Sequence, residues 1–169
     1  MNKYKLTENT KKHYNRTLYQ IESLKDFGDV KKGDLGGYVE SETNLSQEGN
    51  SWVGGDAQVG GNALVCGNSW VGGNAKVFGD ANVFGNALVC GNSWVGGNAL
   101  VCDNAQVFGD ALVCDNAQVF GDAKIFGNAW VGEDAQVGED AWIFGDFWVG
   151  GDAKICGDAV KKDNTADIE

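Results

Sequence analysis

The chain has 169 residues, 26 of them glycine and none proline, and a formal net charge of −11. That length suits one domain, no apolar run reaches membrane-spanning length, and the opening Met1-Asn2-Lys3-Tyr4-Lys5 lacks the apolar stretch of a signal peptide. A cytoplasmic protein is expected, with no membrane association and no direct nucleic-acid binding, since acidic surfaces repel both.

Taken in chain order, residues 3–6 and 17–24 alternate apolar and polar side chains and predict two strands of an antiparallel cap; a short amphipathic helix over 17–24 is the alternative. Between them lies Lys11-Lys12-His13-Tyr14-Asn15-Arg16, which holds the one histidine of the chain. Such a charged segment reads as solvated surface. Residues 31–48 have the length of one 18-residue coil but match the later pattern poorly. Leu35 falls at its fifth position and Asn44 at its second, while Ser41 and Gln47 stand where a branched apolar residue is wanted. This reads as a degenerate cap coil, because a solenoid end leaves strand edges to be covered.

From residue 49 to 156 the chain consists of 18 consecutive hexapeptides on the template Gly-(Asn/Asp)-(Ala/Ser)-x-(Val/Ile)-x, as in Gly67-Asn68-Ser69-Trp70-Val71-Gly72, with an acid in place of the first Gly at Asp103, Asp115, Glu133 and Glu139. The fifth position is always Val or Ile, and the third is Ala or Ser except at Phe147. Positions three and five pointing inward with position four outward is the period-2 signature of a short strand. Gly-Asn or Gly-Asp supplies the corner, and left-handed backbone is expected at the Asn or Asp. Three hexads per turn give six regular coils of 18 residues, about 29 Å tall at about 4.8 Å per coil. Val65, Val83, Val101, Val119, Val137 and Ile155 then form one inward column. The fold class is therefore an all-β triangular parallel β-helix, divided into a cap (1–48), the coils (49–159) and a polar tail (160–169).

Stacking at a spacing of 18 turns the outward positions into columns. All six Trp occupy position four, and Phe108, Phe126 and Phe144 follow one another at position six. Two of three faces are thus aromatic. Side chains on one face cover each other, but contiguous apolar surface also marks interfaces. A homo-oligomer, trimer or dimer, is expected, with Trp94, Trp130, Trp148, Phe108, Phe126 and Phe144 as contacts. Residues 103–156 carry ten acids against Lys124 and Lys154. Asp115, Glu133, Asp134 and Glu139 at their corners would steer a basic protein partner. The five cysteines sit at position six in a register that keeps any two from being vertical neighbours, so five free thiols are expected.

The hexads resemble the transferase hexapeptide-repeat superfamily, and residues 26–49 are similar to the opening of prophage and bacterial proteins that carry such repeats and are labelled acyltransferases. The resemblance implies a left-handed coil, frequent trimers and acyl transfer from acyl-CoA with a histidine base. The hexads contain no histidine and no projecting loop, which leaves His13 as the candidate base. Three imidazoles for a catalytic metal are lacking, and the calcium-binding solenoid repeat is nine residues long, so no metal or cofactor is expected. The reading favoured on these grounds is a non-catalytic interaction or scaffold protein, of phage or prophage type, that binds a host protein, with DNA mimicry as a subcase. The alternative is a hexapeptide-repeat acyltransferase acting on a small molecule.

Overall fold

The computed structural model describes residues 2–162, and the side chain of Lys162 is outside the description. Among these residues there is no α-helix, only strands and one 3₁₀ turn at Glu42–Asn44. The hexads form three parallel sheets. The first runs through Gln58, Lys76, Trp94, Leu112, Trp130 and Trp148, the second through Trp52, Trp70, Leu88, Gln106, Lys124 and Trp142, and the third through Leu64, Asn82, Leu100, Gln118, Gln136 and Lys154. Each residue pairs with the one 18 positions on, as the repeat length requires. Val65, Val83, Val101, Val119, Val137 and Ile155 stack in a column. The solenoid fold and the period of its coils are thus as expected.

The corners differ from expectation. The left-handed residue is position one, not the Asn or Asp at position two: Gly67 has φ 71°, and so, with φ between 55° and 59°, do Asp103, Asp115, Glu133 and Glu139. The reason is steric. A Cβ on Gly67 would lie 2.9 Å from the Gly85 carbonyl oxygen of the next coil, so the tightest point of the corner selects glycine. Position two is freed for another task. Asn50, Asn68, Asn86 and Asn104 each donate from Nδ2 to Oδ1 of the residue one coil further on, at 2.9–3.2 Å, and the ladder reaches Asp122. An ionised Asp accepts but cannot donate, so the ladder cannot continue from Asp122 to Asp140.

The N-terminal end is closed by strands β1 (Tyr4–His13), β2 (Arg16–Ser23) and β3 (Leu35–Val39), which extend the first sheet in the order β1-β2-β3 before the Gln58 strand. β1 and β2 are antiparallel, so residues 17–24 contribute strand and not helix. The degenerate coil is also shifted from its expected register. Val39 pairs with Val59 and Leu45 with Val65, both 20 residues apart, whereas Leu35 is 57% exposed. Val39 and Leu45 are fully buried and fill the inward positions. The two extra residues fall before Trp52, where Gln47 Oε1 accepts from the backbone N–H of Lys3 at 2.8 Å. Tyr4 plugs the end of the core and donates its hydroxyl to the Leu45 carbonyl at 2.8 Å. Val160–Lys162 continue the second sheet beside Trp142–Phe144, and the rest of the expected tail lies outside the described residues.

Candidate active site

Register shifts between Leu6 and Thr10 in β1, and between Gln20 and Glu22 in its pairing partners, bend the hairpin. Its distal half reaches back over the first sheet. Two ion pairs hold it there. Lys11 Nζ lies 3.3 Å from Asp56 Oδ1, and Arg16 Nη1 donates to both oxygens of Glu40 at 2.9 and 2.7 Å. Glu40 Oε2 also accepts from Gly61 N at 2.6 Å, which ties the tip to the corner of the coil. The turn itself is Tyr14-Asn15, with Tyr14 at φ 51° and His13 paired across it with Arg16.

This placement brings His13 onto the coils. Its ring stacks on Phe78 with centroids 4.3 Å apart and planes 16° apart, 6.1 Å from Trp94 and 4.8 Å from Tyr14. Lys76 Nζ stands 5.6 Å above the Trp94 ring. Burial pushes the His13 pKa below its ordinary value and the Lys76 ammonium adds to the shift, while the nearby Gln58 side chain, as an acceptor for the ring N–H, opposes it. The Gln58 contact falls short of ordinary hydrogen-bond geometry. Gln58 Oε1 is the buried side-chain acceptor that lacks a partner among the described residues. The histidine is therefore half-buried in an aromatic stack, not solvated. Gln58, Lys76 and Phe78 were not marked as site residues by the sequence, because only the hairpin's tertiary path brings His13 to their column.

The other expected contacts divide. Trp94 packs within the chain against His13 and Phe78 and is half-buried. Trp130 and Trp148 are 45% and 54% exposed, with ring centroids 6.1 Å apart. Phe108, Phe126 and Phe144 form a parallel stack at 5.0 and 4.9 Å. Four Trp fold their indoles over the glycine two residues on. A Cβ at Gly72, Gly96, Gly132 or Gly150 would come within 2.5–2.8 Å of the ring of Trp70, Trp94, Trp130 or Trp148. The recurrent Trp-Val-Gly was a legible signal of this packing.

The acidic corners serve the coil itself. Asp115 Oδ2 accepts from Glu133 N at 3.1 Å, Glu133 Oε2 accepts from Gly151 N, and Asp134 Oδ1 accepts from Asn116 Nδ2 at 2.9 Å. Glu139 shares the left-handed corner backbone of Asp115 and Glu133. All five cysteines are free. Burial raises the thiol pKa of Cys66, Cys90 and Cys114, and that of Cys102 to about 11, which makes them poor nucleophiles. No group of three or more metal-ligating side chains occurs among the described residues, and no helix there is long and apolar enough to cross a membrane.

Residues 57–73, two hexads and their flanks, match the family model described as the YdcK beta solenoid repeat. A protein of Escherichia coli (strain K12) named "Uncharacterized acetyltransferase YdcK" is 43% identical over 63 residues, which cover 31% of this chain and 19% of that protein. The chain thus spans about a fifth of the length of that relative. Among solved structures, a mutant of perosamine N-acetyltransferase from Caulobacter crescentus, in complex with CoA and GDP-perosamine, superimposes with a TM-score of 0.54 at 12% identity. The match covers 79% of this chain and 56% of that one, and at that identity it speaks to the fold. The expectation of a non-catalytic scaffold is overturned by the Escherichia coli relative, which is named an acetyltransferase and favours the alternative reading.

Proposed function

We propose that this β-solenoid protein is an acyltransferase that moves an acyl group from an acyl-CoA thioester to an amine or hydroxyl of a small molecule, with His13 as general base. The observation that carries this reading is the stack of His13 on Phe78, beside Trp94 and Lys76. A base must be unprotonated at working pH and fixed in position. Burial and the Lys76 charge keep the imidazole neutral, and the aromatic stack fixes it. An imidazole N–H donated to Gln58 Oε1 would satisfy that buried acceptor and leave the opposite ring nitrogen to take a proton.

In the reaction the acceptor's nitrogen or oxygen attacks the thioester carbonyl and gives its proton to His13. The tetrahedral intermediate collapses with cleavage of the C–S bond, and the departing thiolate recovers the proton from the imidazolium. The products are an amide or ester and free CoA thiol. Thiol release from acetyl-CoA, followed with a disulfide reagent across a panel of amines and alcohols, tests the proposal. Turnover that His13→Ala abolishes supports it. Absence of turnover with every acceptor class, or turnover unchanged in His13→Ala, would refute it.

We further propose self-association through the exposed Trp130 and Trp148 and the Phe108, Phe126 and Phe144 stack. Light scattering should report a dimer or trimer at tens of micromolar, and Trp130→Ser with Trp148→Ser should shift it to monomer. A monomeric wild type would dispose of this idea.

A further inference from the structure

The bent hairpin is held at its base and at its tip by different means. Tyr4 and Ile21 at the base belong to the core of the coil, and Leu18 is fully buried. Beyond them, no side chain of residues 8–17 is buried. Apolar burial therefore contributes little to holding the tip down. Its seat depends on the His13–Phe78 stack and on two ion pairs, and those pairs are not equivalent.

Lys11–Asp56 is a single 3.3 Å contact whose carboxylate is 64% exposed. Such a pair is worth little in water. Glu40 is 29% exposed, and its carboxylate is aimed before Arg16 arrives. Its backbone N–H donates to the Val59 carbonyl at 3.0 Å, directly after the buried Val39, so the side chain leaves a rigid strand. Gly61 N donates to Oε2, and Arg16 Nη1 then reaches both oxygens. A carboxylate already oriented by a backbone donor loses little further freedom on pairing.

This pair and the seat of the imidazole share one gap in the coil. A Cβ on Gly60 would lie 2.9 Å from Glu40 Oε2 and 2.8 Å from Phe78 Cε1, so the missing side chain admits both the carboxylate and the ring. Arg16 and His13 are directly opposed across the hairpin. Opposed residues of an antiparallel pair project to the same face. The guanidinium that meets Glu40 and the imidazole that stacks on Phe78 thus leave one rung, and fixing the first fixes the second.

We infer that Glu40 is a positioning residue: through Arg16 it latches the hairpin tip onto the coil and so seats His13 on Phe78, and without it the tip swings free while the coils stay folded. The inference rests on the acyl-transfer reading for its effect on rate, but the seating of the imidazole is measurable without turnover.

The chain has one histidine, so its ring protons can be followed by NMR without ambiguity. In wild type they should be shifted upfield by the Phe78 ring and should titrate below 6.5, since burial and the facing charges of Lys76 and Arg16 outweigh Gln58. In Glu40→Gln the upfield shift should vanish and the titration should return to about 6.5. The sign is diagnostic, because loss of a carboxylate acting only through space would lower the imidazole pKa further. Arg16→Gln should lose the same upfield shift, Arg16→Lys should recover part of it, and Asp56→Asn should keep it. Melting temperatures should match wild type. Were Glu40→Gln to fold poorly, Arg16→Gln, altered at an exposed side chain, would decide alone. An upfield shift retained in Arg16→Gln, or lost equally in Asp56→Asn, would overturn the latch. Glu40→Gln should also lower kcat at least tenfold and move its acidic limb to higher pH. Turnover that His13→Ala abolishes and Glu40→Gln leaves unchanged would remove the latch and spare the acyl-transfer reading. A tip released as described, in a protein that acylates nothing, would do the reverse.

Discussion

His13 shows how one side chain changes meaning with its surroundings. Free in a basic segment it would be solvated and half-protonated near neutrality; stacked on Phe78 and close to Lys76, it is held neutral. Its pKa is lowered, so the acidic limb of kcat/KM should fall below pH 6.5, with activity lost as pH drops through that limb. Replacing Lys76 with Met should move the limb to higher pH, because one of the causes of the lowering is removed. His13→Ala should cost on the order of 10²- to 10⁴-fold in kcat, the usual worth of a general base. Gln58 acts through His13. Gln58→Leu should lower kcat by roughly tenfold and shift the limb, whereas Gln58→Glu should retain an acceptor for the imidazole and recover part of the rate. A Gln58→Leu enzyme with wild-type kcat and pH profile would rule out that positioning role.

At the scale of the repeating element, the corner divides its work between two positions. Position one bends the chain, and position two links coils through an amide ladder with a direction, each Asn donating toward the C-terminus. An Asp in the ladder accepts from the coil before it and gives nothing to the coil after it. Asp122 is followed 18 residues later by Asp140, so two acids are stacked where an amide could bridge them. Asp122→Asn should keep the bond from Asn104, add one to Asp140 and remove a like-charge contact. The expected gain is about 0.5–1 kcal/mol, or a rise of a few degrees in melting temperature. The effect should shrink below the carboxylate pKa range, where the repulsion is absent. An unchanged melting temperature at pH 7 would mean that water already satisfies these corners.

For the molecule as a whole, the two ends of the coil are finished differently. The N-terminal end is plugged by Tyr4 and by Lys3, whose fully buried Nζ donates to the Ser51 carbonyl at 2.8 Å and lies 5.2 Å from the Phe27 ring centre. Burial lowers the Lys3 pKa from 10.5 to about 8 and raises that of Tyr4 above its ordinary 10. Between about pH 8 and 10.5 the unfolded chain holds more protons than the folded one at Lys3, so stability rises with pH there. Above pH 10 the unfolded chain loses a Tyr4 proton that the fold retains, so stability falls. Melting temperature against pH should climb from 8 toward 10 and then turn down. In Lys3→Met the climb should vanish, and in Tyr4→Phe the turn should soften; a profile that both variants leave untouched would detach the plug from the stability of the coil.

The repeat alone determined the architecture, because a hexad with inward Val or Ile at its fifth position can bury that side chain in only one way over 18 consecutive hexads. The column from Val65 to Ile155 and the five unpaired thiols follow from the same arithmetic. Register outside the strict period was not legible. Leu35 and Asn44 are as consistent with an inward coil as Val39 and Leu45, until the two residues inserted before Trp52 are seen to serve Lys3 and Tyr4. The conformation of the corner was half legible: Gly followed by Asn or Asp announces a turn, but only the approach of the next coil decides which of the two bends. The candidate site belongs to the tertiary structure. His13 lies 65 residues from Phe78 in the chain, and no local pattern encodes the bent hairpin and the Arg16–Glu40 and Lys11–Asp56 pairs that bring them together.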